Sequence, residues 1–101
     1  LNGQYPEQMY SFVKDIKFME ELKENGFTKT AVVVLVSDRP FYQGRSNQGI
    51  YRYFREEYQV YGEIYKPTGA TKGKESIVLK GTYNFQWQQL ENNKKYFMIE
   101  I

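Results

Sequence analysis

The chain has 101 residues, 41% of them hydrophobic, with ten Tyr, seven Phe and one Trp. That composition is globular rather than disordered, and the length suits one domain. A net charge of +2 does not by itself point to nucleic acid. The absence of Cys and His removes disulfides, thiolate or imidazole metal sites and the commonest general base. Carboxylates, lysines and tyrosines are what remain for any chemistry.

Pro6 and Glu7 fit the first turn of a helix, and Asn25-Gly26 is a stop signal. Between them Met9, Phe12, Val13, Ile16 and Met19 recur at helical spacing, opposite a polar side of Tyr10, Lys14, Lys17, Glu21 and Glu24. Phe18 and Leu22 widen the apolar arc, and Asp15 falls beside them. A carboxylate placed there needs a partner, so Asp15 is a candidate site carboxylate, with a structural pairing as the plain alternative.

Ala31 to Val36 is an unbroken apolar, mostly β-branched run. It predicts a central strand covered on both faces. Ligand sites gather beyond the carboxyl ends of such strands, where Ser37-Asp38-Arg39-Pro40 stands here. Asp38 is the second candidate carboxylate. Residues 43–49 read as a polar loop. Residues 50–55 and 59–65 alternate aromatic and polar side chains and predict half-exposed strands. A turn is expected over 66–74, strands over 76–79 and 82–87 with a break at Gly81, a turn at Asn92-Asn93, and a last strand over 96–101. The expected fold is α+β, an N-terminal amphipathic helix packed on a mixed sheet. Its central strand is 31–36, and an antiparallel extension follows. The whole reads as a single domain, 1–101, and as the C-terminal part of a longer protein.

Two Asp/Glu-x-Lys triplets, Asp15-Ile16-Lys17 and Glu21-Leu22-Lys23, have the form of a metal-dependent nuclease motif. Residues i and i+2 share a face only on a strand; on a helix they lie about 200° apart. Neither triplet is therefore taken as catalytic, and no catalytic or metal-binding residue is assigned. Gly69 to Glu75 has the outline of a phosphate-binding loop, but it is one residue short and carries Glu where Ser or Thr belongs. It is read as a solvated hairpin loop.

All four arginines, Arg39, Arg45, Arg52 and Arg55, lie within seventeen positions, interleaved with Phe41, Tyr42, Tyr51, Tyr53 and Phe54. Guanidinium forks suit phosphates and aromatic rings stack on bases, so Arg39, Tyr42, Arg45, Arg52 and Arg55 are candidate nucleic-acid contacts. The plain alternative is a strand with core aromatics and solvated arginines.

Tyr10 to Ile16 with its Lys14-Asp15 pair, Gly26-Phe27, the strand ending in Ser37-Asp38, the Gly81-x-Tyr83-x-x-x-Trp87 stretch and the terminal strand together resemble a known pattern. It is the carboxyl-terminal half of bacterial proteins related to the PD-(D/E)XK restriction-endonuclease-like superfamily. The resemblance implies that the metal-binding Asp and Glu/Asp-x-Lys lie on a hairpin upstream of this helix. Magnesium would then belong to the full-length parent, no cofactor to this chain, and DNA would be the partner. The present residues would complete the sheet and contact nucleic acid. The alternative is a non-catalytic protein-interaction or assembly module. Either way the expected partners include a second copy, as a homodimer, or the missing N-terminal half. No membrane partner is expected, and no transmembrane or signal-peptide pattern is present, so a cytoplasmic location is the default.

Overall fold

A computed structural model describes residues 4–45, 47–91 and 94–101. It opens with one long helix, α1 (Gln4–Glu24), with Glu7 in its first turn and Lys23 in its last, each complementing the helix dipole. The chain leaves α1 through a Schellman closure. Gly26 N–H donates to Lys23 O at 3.2 Å, Phe27 N–H to Leu22 O at 3.2 Å, and Gly26 takes φ +103°. The Asn-Gly stop therefore acts as its sequence suggests.

The buried stripe of α1 runs through Met9, Val13, Ile16 and Glu20, with Tyr10 on its flank. Asp15 is exposed, and Phe18 is 55% exposed. Around the helix they lie about 130° and 170°, respectively, from the centre of that stripe. The wide apolar arc expected from the sequence averaged two sides of α1, of which only one packs. Tyr10, expected on the polar side, is buried, and its hydroxyl donates to Glu75 at 3.2 Å. Burial and that carboxylate push its pKa up to about 12.

Strand β1 (Ala31–Val36) pairs antiparallel along its whole length with the terminal strand, β7 (Lys95–Glu100). The ladder continues through the Ile101 N–H to Thr30 O bond at 2.9 Å. A short strand, β6 (Gln88–Gln89), pairs with the other side of β7, giving the order β1-β7-β6. β1 is thus an edge strand rather than a central one, and every pairing among the described residues is antiparallel rather than mixed. Val32, Val34, Val36, Phe97 and Ile99 point inward beneath α1, whereas Val33, Leu35 and Met98 on the outer face are 64%, 56% and 61% exposed. The unbroken apolar run suggested cover on both faces; one face is bare.

Residues 50–55 form a helix, not the expected strand. Ile50, Tyr53 and Phe54 stand at i, i+3 and i+4, which places all three on one buried face of α2 (Tyr51–Arg55). The alternation of aromatic and polar residues hid that spacing. The 59–65 segment breaks at Tyr61-Gly62 into β2 (Gln59–Val60) and β3 (Glu63–Tyr65). Two small ribbons result: β2 pairs with β5 (Tyr83–Asn84) and β3 with β4 (Ser76–Val78). Residues 66–75 close the β3–β4 hairpin, with Lys66 N–H on Glu75 O at 2.8 Å. Asn92-Asn93 lies outside the described residues. The class is α+β, one long helix packed on open antiparallel sheets.

Candidate nucleic-acid interface

The segment carrying the four arginines folds as a single 3-10 turn over Arg39–Phe41, a loop, and α2. That geometry divides the arginines. Arg55 turns inward: its Nε donates to Pro40 O at 2.7 Å, and its guanidinium lies 3.9 Å from the centre of the Tyr51 ring. A Cβ at Gly44 would come within 2.5 Å of Arg55 Nη1, so the loop is folded closely over this side chain. Desolvation by that burial lowers its pKa from the ordinary arginine value.

Arg52 pairs with Glu57 at 2.8 Å, donates to Tyr53 Oη at 2.8 Å, and stacks 4.7 Å from the Tyr53 ring centre. Tyr61 donates to the same Glu57 carboxylate at 2.7 Å. Arg39 and Arg45 are exposed and enter no ion pair among the described residues. The cluster in sequence is therefore two solvent-facing cations on the loop side and two that hold the local fold.

The two candidate carboxylates do not converge. Asp38 accepts a hydrogen bond from Tyr5 at 3.2 Å, near the start of α1. Asp15 is ten residues farther along the helix, about 15 Å by its rise. No group of three or more His, Cys, Asp or Glu side chains able to hold a metal occurs among the described residues. Both Asp/Glu-x-Lys triplets lie within α1, where carboxylate and lysine stand about 200° apart rather than on one face. No helix among the described residues is long and apolar enough to cross a membrane.

Tyr42 sits where two hollows meet. One is lined by Tyr5, Ser37, Asp38, Arg39, Pro40 and Tyr42. The other, of about 340 Å³, is lined by Tyr42, Tyr58, Phe85, Trp87 and Lys95. An aromatic chain leads into this second pocket from the core. Phe54 and Phe85 have ring centres 4.9 Å apart, Phe85 stacks on Phe97 at 4.5 Å, Phe97 meets Trp87 edge-on at 4.8 Å, and Trp87 meets Tyr42 at 5.6 Å. Lys95 Nζ stands 4.6 Å over the Tyr42 ring. The Trp87 indole N–H is buried with no acceptor among the described residues, a cost of about 1–3 kcal/mol. Tyr58 takes φ +53°, the left-handed region that side chains avoid. It is held there by Phe85 N–H on its carbonyl at 2.7 Å and by its own hydroxyl on Tyr42 O at 3.0 Å.

Of the residues lining the second pocket, sequence reasoning proposed only Tyr42 as a contact, and Trp87 entered only through the family resemblance. Lys95 and Phe97 stand on alternate positions of the terminal strand, so their common face was readable. Their meeting with Tyr42 and Tyr58 was not, because it depends on how 50–65 folds. Glu20 was also missed. It is 5% exposed and accepts from Lys80 N–H at 3.0 Å, Gly81 N–H at 2.9 Å and Tyr83 Oη at 2.5 Å. Burial alone would raise its pKa, but these donors and Lys17 outweigh it and hold the carboxyl below its usual range. Tyr83 is correspondingly pushed up by burial and by Glu20. Glu20 ties α1 to the Gly81-x-Tyr83 stretch. The signal was its place four residues after Ile16 on the buried stripe.

Compared with models of known families, with curated proteins and with solved structures, the chain shows no match.

Proposed function

We propose that this chain is the sheet-completing, nucleic-acid-facing half of a restriction-endonuclease-like protein, with the catalytic carboxylates on a strand pair upstream of Leu1. The observation that carries the reading is the condition of β1. It is a six-residue apolar strand without charge or proline, one edge of which pairs with no strand among the described residues, and Val33, Leu35 and Met98 lie bare on its sheet's outer face. Natural proteins protect long apolar edges with charge, proline, bulges or cover. β1 has none of these, so it is suited to receive another strand along its edge and another layer over its outer face. The family resemblance supplies the occupant: a hairpin that precedes the helix in sequence. Exposed Arg39 supplies a cation just past the carboxyl end of the same strand, and Arg45 is exposed on the loop that follows.

The test is to express the gene with the sequence preceding Leu1 and assay it on plasmid in magnesium and in manganese. Cleavage that depends on an upstream Glu-x-Lys lysine, and is absent from the 101-residue chain, is the expected result. A preceding segment without such a carboxylate pair would overturn the nuclease reading in favour of an assembly module. So would cleavage by the 101-residue chain that vanishes in Lys17→Ala or Lys23→Ala.

A further inference from the structure

We infer that the pocket of Tyr42, Tyr58, Phe85, Trp87 and Lys95 is a stacking site for one unpaired nucleobase of a single strand, with Lys95 taking the adjoining phosphate. Four of its five lining residues are aromatic, and its volume of about 340 Å³ lies in the range of small-ligand sites. Every nucleobase presents a π face to such walls, whichever base it is. No carboxylate lines the pocket, and Lys95 enters no ion pair among the described residues, so its charge is available to an anion.

Two features mark the pocket as more than leftover space. The indole N–H of Trp87, one of the lining residues, is buried and lacks an acceptor among the described residues. Tyr58 is the one non-glycine residue with positive φ among those described, and it is clamped in that conformation at the pocket's rim. Strain of that kind persists where the surroundings enforce it, and it concentrates at binding sites. Exposed Arg45 follows Tyr42 by three residues, and Arg39 lines the neighbouring hollow that shares Tyr42. A strand leaving the pocket past Tyr42 therefore meets one further cation, Arg39, which stands in that hollow with Asp38. Bases inside a duplex have both faces stacked on their neighbours, so a single strand offers this pocket what the interior of a duplex does not.

The inference shares the nucleic-acid partner of the proposed function but not its open sheet edge, so the two fail separately. Trp87 is the sole tryptophan, which gives the pocket its own reporter. Its emission, excited where tyrosine does not absorb, is followed in the 101-residue chain during titration with oligothymidylate of about ten nucleotides and with a duplex of equal length. Saturable quenching by the single strand alone is expected. Tyr42→Ala should weaken binding about tenfold and Tyr42→Phe, which keeps the ring, should not. Lys95→Ala should flatten the slope of log affinity against log salt by about 0.7, the share of one single-strand phosphate. Three outcomes would overturn the inference: no change in emission with the single strand, equal quenching by the duplex, or a salt slope unaltered in Lys95→Ala. Cleavage by the longer protein with a silent Trp87 would leave the proposed function standing and remove this site.

Discussion

The two faces of the β1–β7 ladder are built from the same kind of residue and have opposite surroundings. Val32 and Val34 are 5% and 3% exposed beneath α1; Val33, one position on, is 64% exposed, and its cross-strand neighbour Met98 is 61% exposed. On the inner face, apolar side chains stabilise the fold that is present. On the outer face, equivalent side chains do nothing for it. Residue chemistry alone therefore does not report which face a domain uses.

Substitution on the two faces breaks or sharpens this contrast. Phe97→Ala empties a fully buried ring that touches Phe85 and Trp87, and urea denaturation should show a loss of about 4 kcal/mol. Leu35→Thr on the outer face should change the same midpoint by less than about 0.5 kcal/mol. Equal losses from both would mean that the outer face is packed in solution.

Glu20 extends the inner face into polar chemistry. Glu20→Ala would strand two backbone N–H groups and the Tyr83 hydroxyl, at a cost of about 3 kcal/mol. Glu20→Gln isolates the charge. Because the folded carboxyl titrates below its ordinary range, its stabilisation is complete above that range and fades as pH falls through the lowered folded value. The stability gap between wild type and Glu20→Gln should thus be widest near neutrality and shrink on acidification below about pH 4. A gap that widened in acid would mean that Glu20 is protonated in the native state.

The arginines allow the smallest comparison. Arg55→Ala removes the bond to Pro40 O and the stacking on Tyr51, and thermal melts should show a loss of roughly 1–2 kcal/mol. Arg45→Ala should leave stability unchanged while weakening single-strand binding at low salt, measured by fluorescence anisotropy. Reversal of that order would overturn the division between fold-holding and solvent-facing arginines.

What the sequence disclosed followed from the strength of local signals. The long helix and its Asn25-Gly26 stop, the Ala31 to Val36 strand, the hairpin loop over 66–74 and the terminal strand were legible, because periodicity and turn chemistry agree there. Residues 50–55 misled because a five-residue helix is too short to show a period, and aromatic alternation imitated a strand. The burial of β1 misled because a continuous apolar run describes what a strand can cover, not what covers it. At the candidate site, Tyr42 and the exposed Arg39 and Arg45 were visible from composition. Tyr58, Trp87 and Lys95 became pocket residues through the local β6–β7 hairpin and through the pairing of β2 with β5, a contact distant in sequence.

The open edge of β1 is most directly tested by native-state amide hydrogen exchange, residue by residue, in the dilute 101-residue chain and in the protein expressed with its upstream sequence. In the 101-residue chain, alternate β1 amides facing β7 should exchange slowly and those facing away rapidly. In the longer protein the outward amides should become slow as well, because a strand then lies against them. Outward amides already protected in a monomeric 101-residue chain, or equally rapid in both proteins, would contradict the view of β1 as a strand awaiting its neighbour.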